Sequence, residues 1–399
     1  WGFLKDAGAN PVLTRSTDAG VYQEEPFDLK SDLQARSDLS NFCEADLFVS
    51  VHHNSDVRHT RRDDVIVFYK MSDSGQSRDL ARDVCAGLKE KLSPGKAVIQ
   101  AGNFHVLRNT SVPAILGEAS FMTTKTNANM LAYHRTLAAE AAGYFLGICT
   151  YYQKGVPRIT SFHPQDTTIA ETQPEIRCRV YPGADNASVD AASVMLQLDG
   201  KSVTLFQVMD QDILFVPPEP LANGPHEYCV AMRNTSGNIS PRQCAAFTVA
   251  LPPRHITVTP LLPVIPADGA AWTPLTIEVF DAPGRPVADG TTISLSSTAG
   301  RLDNSTLATV AGKARTLLRS DTAKRQVTVK ARSGEVSGSG TLCLGTPKEG
   351  LLMVRIQGPS GNPLPHAALM RNDRQIALSD EAGFAHDRAE AAAEATYRI

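Results

Sequence analysis

The pattern of the chain changes near residues 154–157, and no other feature of the sequence constrains the fold as strongly. Before this point, apolar runs of strand length alternate with amphipathic stretches of helix length. After it, short strand-like runs are separated by turns. Alternating strands and helices predict a mostly parallel sheet with helices on both faces. We therefore expect a multidomain protein in which an α/β domain precedes all-β sandwiches.

The first 155 residues supply helix and strand signals in turn. Residues 46–52 form a continuous apolar run, which is typical of a buried parallel strand. Residues 29–42 space their apolar side chains three to four apart, as an amphipathic helix does. The other predicted elements are a helix end at 4–8, strands at 11–15, 65–69 and 114–116, and helices at 77–92 and 127–144.

Composition excludes two classes of protein. The chain has 39 Lys and Arg against 42 Asp and Glu, so its formal net charge is only −3 and a nucleic-acid partner is not expected. No apolar run approaches the roughly 20 residues that a membrane-spanning helix requires. We therefore expect no transmembrane segment in this chain.

The seven cysteines leave their pairing open. Their number is odd, so at least one is unpaired or pairs outside this chain. No two of them form a Cys-x-x-Cys motif, which argues against a structural zinc site of that kind. Cys178, Cys229 and Cys244 lie in one strand-rich stretch and could pair there, but buried free thiols fit the sequence equally well.

Polar clusters follow three of the predicted strands, and parallel sheets bind ligands at such strand ends. The second cluster contains His52, and a neutral imidazole is a good zinc ligand. A hydrogen-bonded structural histidine is the alternative at this position. The third cluster contains Glu118 after an apolar run, where a carboxylate is costly unless it is paired or used as a general base.

Four ordered motifs connect these clusters to a known family. They are VLTRSTD at 12–18, LQARSDLSN at 33–41, EADLFVSVHHNS at 44–55 and FHVLRNTSVPAILGEASFMTT at 104–124. With these motifs, residues 1–150 resemble the zinc-dependent N-acetylmuramoyl-L-alanine amidases of bacteria. Those enzymes are cell-wall hydrolases with a phosphorylase/hydrolase-like α/β domain. The resemblance implies hydrolysis of the amide between N-acetylmuramic acid and the L-alanine of the stem peptide.

The resemblance also implies roles for particular residues. His52 corresponds to a ligand of Zn²⁺, and Glu118 corresponds to the catalytic glutamate. His53 receives no ligand role, because the family often has a small residue there. The family's other His and Glu ligands would lie upstream of Trp1, so we expect this fragment to be inactive while the intact protein is the enzyme. Asn54 and Arg108 are candidate substrate contacts.

Several arginines receive structural roles at this stage. Arg15 and Arg36 match recurring arginines of the family, and we expect them to form ion pairs with Asp18 or Asp38. The charged loop 56–64 is predicted to be solvated. It carries Arg58, Arg61 and Arg62. Since only about two dozen residues separate His52 from the next helix, we expect none of the long autoinhibitory helices that some family members insert there.

The remainder of the chain resembles modules of bacterial surface proteins. Residues 157–249 resemble bacterial immunoglobulin-like domains through LANGPHEYCVAMRNTSGNIS at 221–240. Residues 255–344 resemble the invasin-type immunoglobulin-like repeat through LTIEVFDAPGRPVADGTTISLSSTAGRL at 275–302. From residue 351 the chain resembles a carboxypeptidase-regulatory-like β domain that is cut short. The predicted domains are therefore 1–155 (an amidase domain lacking its first strand and first helix start), 156–250, 251–345 and 346–399.

Two hypotheses on function remain open at this stage. The first is a secreted, periplasmic or cell-surface amidase of bacteria whose partner is peptidoglycan and whose β domains act as spacers or bind other cell-envelope proteins. The second is a non-catalytic scaffold or adhesin whose degenerate amidase domain only binds peptidoglycan. A different zinc peptidase on a similar sheet fits less well, because the segment around Glu118 matches the amidases.

Overall fold

A computed structural model describes most of the chain. The described residues are 1–22, 26–56, 58, 62–346, 349–358, 362–371, 374–380, 383–390 and 397–398. The chain divides into two compact units, one made of residues 1–169, 173–221 and 225–248, and the other of residues 170–172, 222–224 and 249–399. The predicted fold class is confirmed, because an α/β region is followed by a region built from strands. The predicted domain boundaries stay a prediction.

The α/β region begins the first unit. Its helices are α1 (Gly2–Asp6), α2 (Leu29–Phe42), α3 (Gln76–Leu92), α4 (His105–Asn109), α5 (Lys125–Leu131) and α6 (His134–Gln153). Its strands are β1 (Phe48–Asn54), β2 (Asp64–Tyr69), β3 (Lys96–Ala101) and β4 (Ala114–Phe121). They form one sheet in the order β1-β4-β2-β3. Strands β1 and β4 are parallel, as are β2 and β3, whereas β2 and β4 are antiparallel.

Helices cover both faces of this sheet, as predicted. On one face, Leu80 and Val84 of α3 and Ile148 of α6 pack against Val65 and Ile115 of the strands. On the other face, a smaller cluster joins β1 and β4 to α2 and α4. It consists of Phe48, Val106, Leu107, Ala114 and Leu116, with Leu33 packed against it. Each strand of the sheet interior is therefore apolar on both sides, which explains its continuous apolar sequence.

Three predictions for this region require correction. Residues 11–15 are not a strand: Val12 and Leu13 are more than half exposed, and no described strand lies beside them to complete their hydrogen bonds. The single helix predicted at 127–144 is two helices, because Tyr133 has extended backbone and interrupts the hydrogen-bond ladder. Strand β3 was missed, because its apolar run is short and its side chains are mostly exposed.

Helices α3 and α6 pack so closely that their backbones meet. A Cβ atom at Gly147 would overlap the backbone of Val84, and one at Gly87 would overlap the carbonyl oxygen of Gly143. Glycines four residues apart on α6 lie on the same side of the helix. This glycine contact brings α6 against α3 and, through α3, against the sheet.

The first unit also contains a two-sheet sandwich. Its strands are β5 (Arg158–His163), β6 (Thr168–Ile169), β7 (Ile176–Tyr181), β8 (Val189–Leu198), β9 (Lys201–Val203), β10 (Gln207–Met209), β11 (Asp212–Phe215), β12 (Gly224–Asn234) and β13 (Gln243–Val249). The sheet orders are β10-β11-β7-β5 and β6-β13-β12-β8-β9. Cys229 and Cys244 form a disulfide between the neighbouring strands β12 and β13, whereas Cys178 is a buried free thiol. Of the three cysteines in this stretch, two therefore form a disulfide and the third is a buried free thiol, so each of the two alternatives applies to part of the set.

Within this unit, polar side chains join the sandwich to the α/β region. Asp79 of α3 accepts a 2.7 Å bond from Nη1 of Arg233 and a 3.0 Å bond from the backbone N–H of Ile239. Asn238 donates through Nδ2 to the carbonyl oxygen of Tyr151 at 2.7 Å. Asn234 donates in the same way to that of Lys154 at 2.7 Å. These asparagines satisfy carbonyl groups that the end of α6 leaves without helical partners.

The second unit contains another sandwich and two smaller sheets. Its strands are β14 (His255–Pro260), β15 (Val264–Pro266), β16 (Trp272–Phe280), β17 (Thr292–Ser297), β18 (Arg301–Leu302), β19 (Thr306–Ala308), β20 (Lys313–Arg319), β21 (Arg325–Ser333), β22 (Val336–Gly345), β23 (Glu349–Arg355), β24 (Ala368–Arg371), β25 (Arg374–Leu378), β26 (Phe384–Glu390) and β27 (Tyr397–Arg398). The sandwich sheets are β14-β16-β20-β18 and β15-β22-β21-β17-β19, and the smaller sheets are β23-β26 and β25-β24-β27.

In the part of the chain that the structure describes, no helix is both long enough and apolar enough to cross a membrane.

Candidate functional site

His52 and Glu118 lie side by side in the sheet. Strand β1 pairs with β4 in parallel, and the register places His52 opposite Glu118. Paired residues on parallel neighbours project to the same face of a sheet. The two side chains that the sequence places 66 positions apart thus meet on one face. Glu118 lies within β4, whereas the sequence suggested a position just after a short strand.

His52 lies in a position that suits a metal ligand. Its side chain is exposed, and its Nε2 lies 3.0 Å from Oγ of Ser50. Partial desolvation of the ring, together with the positive charges of Arg36, His53 and Arg15, lowers the pKa of His52. A lowered pKa favours the neutral imidazole, which is the form that binds a metal ion.

Glu118 has the properties of a general base. Its Oε2 is buried and has no hydrogen-bond partner among the described residues. Burial raises the pKa of Glu118, and the nearby His53 opposes this shift only in part. A carboxylate with a raised pKa accepts a proton more readily near neutral pH, and burial with few partners is typical of functional carboxylates.

His53 points to the opposite face and has a structural partner. Its Nε2 lies 2.8 Å from Oε2 of Glu140, a nearly fully buried side chain on α6. This hydrogen bond, opposed by burial and supported by the charges of Glu140 and Glu118, raises the pKa of His53. One turn further along α6, the ring of Tyr144 covers Gly117, where any Cβ atom would overlap it. The sequence analysis missed Glu140, although a carboxylate inside an apolar helix was a signal.

Arg36 has a different partner from the predicted one. It pairs with Asp32 at 2.7 Å and donates to Oγ1 of Thr14 at 3.2 Å. Positions four apart lie on one side of a helix, whereas Asp38 is two positions away and faces elsewhere. The expected pairs of Arg36 with Asp18 or Asp38 are therefore wrong. Arg15 makes no ion pair among the described residues.

The two candidate substrate contacts differ in their surroundings. Asn54 ends β1 next to the pair, and its Oδ1 accepts a 2.8 Å bond from the N–H of Ser55. Arg108 of α4 donates through Nη1 to the carbonyl oxygen of Asn103 and, at 2.9 Å, to its Oδ1. Among the described contacts, none joins Arg108 to His52 or Glu118.

The charged loop 56–64 is partly described. Arg62 pairs with Asp64 at 2.8 Å and with Asp56 at 3.4 Å. Arg58 is exposed, and Arg61 lies outside the described residues. The residues that the structure describes in this loop contain no helix.

The described residues do not provide a complete metal site. Their only close group of three potential ligands is Glu227, Cys229 and Cys244, and the disulfide occupies both sulfur atoms. A zinc centre in an enzyme needs about three protein ligands and an open position. His52 fits one of these ligands.

The fold and the site together define the class of this protein. A mixed α/β domain carries a histidine–glutamate pair on two adjacent strands and is followed by β-sandwiches. Residues 2–150 match the family model described as N-acetylmuramoyl-L-alanine amidase. The uncharacterized protein YqiI of Bacillus subtilis (strain 168) is 30% identical over 151 residues, which cover 38% of this chain and 68% of that protein. Through its first 150 residues, the chain belongs to the N-acetylmuramoyl-L-alanine amidase family.

Two further proteins are similar over the same region. The N-acetylmuramoyl-L-alanine amidase LytC of Bacillus subtilis (strain 168) is 26% identical over 152 residues, which cover 38% of this chain and 28% of LytC. The solved catalytic domain of CwlV, an amidase from Bacillus (Paenibacillus) polymyxa var. colistinus, is 26% identical with a TM-score of 0.33. That match covers 38% of this chain and 78% of the CwlV chain.

Proposed function

We propose that the protein containing this chain hydrolyses the amide bond between N-acetylmuramic acid and the L-alanine of the peptidoglycan stem peptide. The observation that carries this proposal is the in-register pair of His52 and Glu118 on one face of the sheet. Membership of the amidase family supports the choice of bond. The similar protein LytC is an N-acetylmuramoyl-L-alanine amidase, and we propose the same bond as the substrate for this chain.

In this proposal, Glu118 is the general base. Its unpartnered Oε2 accepts a proton from the attacking water and passes it to the leaving amine. His52 would be one ligand of a zinc ion, which when bound supplies a water of lowered pKa and polarises the scissile carbonyl. Asn54, at the end of β1, would contact the substrate. Arg108, which is bonded to Asn103, is the second candidate contact.

The experiment is the substitution Glu118→Gln in the full-length protein that contains residues 1–399. Loss of a general base costs roughly 100-fold to 10,000-fold in rate. We expect purified peptidoglycan to release peptides with a free L-alanine amino group at least about 100-fold more slowly. Mass spectrometry of the soluble products measures the release. The matched control is Glu171→Gln, at an exposed glutamate of the sandwich, which should leave the rate unchanged.

The same assay decides between the two functions that the sequence left open. Retained cleavage in Glu118→Gln would show that another group is the base. If the unsubstituted protein binds insoluble peptidoglycan and releases no product, the non-catalytic scaffold is the better description.

The proposal extends to location and organisation. Peptidoglycan lies outside the cytoplasm, so we place the protein outside the cytoplasm of a bacterium, with the amidase domain at 1–155. The β domains at 156–250, 251–345 and 346–399 are spacers or contact other envelope components. Exposure of purified cells to an externally added protease, with and without permeabilisation, tests this location.

A further inference from the structure

A cleft of about 620 Å³ lies within the first unit, between the α/β region and the first sandwich. Its walls include Lys70 and Gln76 on one side and Met195 and Arg242 on the other. The cleft also reaches Pro113, which directly precedes β4. Glu118 lies five positions after Pro113, or about 16 Å along the strand at the usual rise per residue. The cleft is therefore distinct from the His52–Glu118 pair.

Gln76 supplies an unused hydrogen-bond donor to this cleft. Its side chain is 97% buried, since only 3% of its surface is exposed. Its Oε1 accepts a 3.1 Å bond from the N–H of Ser74, so the amide orientation is set and Nε2 is the remaining group. Nε2 is buried and has no partner among the described residues. A buried donor without a partner costs about 1–3 kcal/mol, which a bound acceptor would recover.

Lys70 adds a buried positive charge. Only 8% of its surface is exposed, and Nζ donates to the carbonyl oxygens of Thr110 at 2.6 Å and Ser111 at 3.4 Å. These partners are neutral, and no carboxylate lies within ion-pair distance of Nζ in the described part of the chain. An ammonium group has three donors, and a buried cation is stabilised by an anion. Lys70 therefore favours an anionic occupant.

Asp73 also lines the cleft, and its negative charge acts on Lys70, but hydrogen bonds already occupy its carboxylate oxygens. Its two oxygens accept bonds from the N–H groups of Gly75 at 2.8 Å and Ser77 at 3.0 Å, at the start of α3. The exposed Arg242 donates from its backbone N–H to Oγ of Ser74 at 2.9 Å, and its Nη2 donates to Oε1 of Gln197 at 2.7 Å. Arg242 thus lines the cleft from the sandwich, and its guanidinium has donors that these two bonds do not use.

We propose that this cleft binds a short peptide through its free carboxylate, with Gln76 and Lys70 as donors and Arg242 at the opposite wall. The apolar atoms of Met195, Pro113 and the Cys229 disulfide suit small aliphatic side chains beside that carboxylate. The volume lies within the range of sites for small molecules. The choice of peptide rests on the proposed function, because an amidase of this class releases stem peptides that carry carboxylates.

The test measures binding with the 399-residue chain by isothermal titration calorimetry. The probes are the tripeptide L-Ala-γ-D-Glu-L-Lys, the same tripeptide with its carboxyl groups amidated, and inorganic phosphate. Hydrogen bonds to a charged group contribute about 1.5–3 kcal/mol, so amidation should weaken binding by at least about tenfold. Phosphate distinguishes a general oxyanion site from a peptide site.

Variants locate the binding in the cleft. Gln76→Leu approximately keeps the size of the side chain and removes the donor. We expect it to weaken the binding of the tripeptide by about tenfold. Because Gln76 is buried, circular dichroism must confirm that this variant folds. Arg242→Ala changes an exposed residue. It should weaken the binding of the tripeptide about threefold without affecting the fold. The matched control is Arg179→Ala on another strand of the same sandwich, which should have no effect.

The outcomes separate this inference from the proposed function. Glu118→Gln should bind the tripeptide as tightly as the unsubstituted chain, because it lies outside the cleft. Equal binding of the acid and amidated tripeptides, or no effect of Arg242→Ala and Gln76→Leu, overturns the inference. Binding of phosphate but not of the tripeptide also overturns it. Binding with the expected variant pattern in a full-length protein that cleaves no peptidoglycan supports the cleft and contradicts the proposed function.

Discussion

The α/β region and the sandwich of residues 255–345 bury different kinds of side chain. The core of that sandwich consists of aliphatic side chains alone, and β16 alternates between buried and partly buried positions along its length. Among its described residues, that sandwich buries one ionisable side chain, Asp281, whereas the α/β region buries several. They are Asp32, Lys70, Asp79, Asp83 and Glu140. A buried charge is tolerated only where partners compensate for its lost hydration.

In the α/β region, buried ionisable residues position the groups around the candidate site. Glu140 holds His53 beside the candidate zinc ligand His52, and Asp32 holds Arg36, whose charge acts on His52. In the sandwich, the buried Asp281 lies just after β16, where it pairs with Arg285 and accepts a bond from Asn223. These contacts hold the turn at 281–285, so the packing of the sandwich serves stability. Substitutions in the two regions should therefore differ in the size of their effect on stability and in the dependence of that effect on pH.

Leu318→Ala tests the sandwich and should have the largest effect on stability. Leu318 is fully buried in β20, and its truncation leaves a cavity that costs about 2–5 kcal/mol. We expect hydrogen exchange of the sandwich amides to become faster. After correction for the intrinsic exchange rate, the loss of protection should be the same at pH 5 and pH 8. Val310→Ala, at an exposed residue of the same sandwich, is the control. If the destabilisation by Leu318→Ala depended strongly on pH, the proposed difference between the two regions would be wrong.

Gly147→Ala tests the packing of α3 against α6. In an ordinary helix this change stabilises by about 1 kcal/mol, because alanine has the higher helix propensity. Here the new Cβ meets the backbone of Val84, so we expect destabilisation of about 3 kcal/mol. Urea unfolding followed by exchange of the α3 amides measures it. Gly2→Ala in α1, where nothing lies within 4 Å, should be neutral or stabilising.

Asp79→Ala tests a buried charge that joins α3 to the first sandwich. The change removes the acceptor of Arg233 and of the Ile239 N–H, and we expect a loss of about 2 kcal/mol in local stability. Hydrogen exchange at residues 233–240 reports it. Arg82→Ala removes only a half-exposed partner of the same carboxylate and should cost less than about 1 kcal/mol. Equal effects of the two variants would contradict the role of the buried network.

Asp32→Asn should have the smallest effect on stability. The dependence of that effect on pH identifies its cause as the charge of Asp32. Burial by itself raises the pKa of Asp32, but hydrogen bonds from Arg36, Tyr22 and Val21 outweigh burial and hold the pKa below its ordinary 3.8. The ionised form therefore stabilises the fold above about pH 5, and this contribution disappears as pH falls through the folded pKa. We expect Asp32→Asn to cost about 1 kcal/mol at pH 7. This cost should shrink as the pH falls through the folded pKa of Asp32.

The control for this prediction lies on the same helix. Asp38→Asn changes an exposed carboxylate whose only described bond comes from Nε2 of Gln34. We expect no measurable change in stability at pH 7 in hydrogen exchange of the α2 amides. A pH-independent cost of Asp32→Asn would mean that packing, and not charge, is the role of Asp32.

Local pattern was enough to predict much of the fold. The apolar run at 46–52 became β1, and the helix predicted at 77–92 became α3, because short-range periodicity determines which face of an element is buried. The strand predicted at 11–15 was wrong, because local pattern does not show whether a partner strand is present. These residues have strand propensity, but no neighbouring described strand accepts their hydrogen bonds. The helix break at Tyr133 has no marker such as Gly or Pro.

The sequence by itself determined that an α/β region precedes a strand-rich region, the family motifs, and the two residues, His52 and Glu118, on which the proposed chemistry depends. Only the tertiary structure decided that these residues are paired in register, that Glu140 holds His53, that Cys229 joins Cys244, and that a cleft forms beside Lys70 and Gln76. The physical reason is distance along the chain. Periodicity and motifs report neighbours within a few residues, whereas register and side-chain partners depend on how distant strands and helices pack.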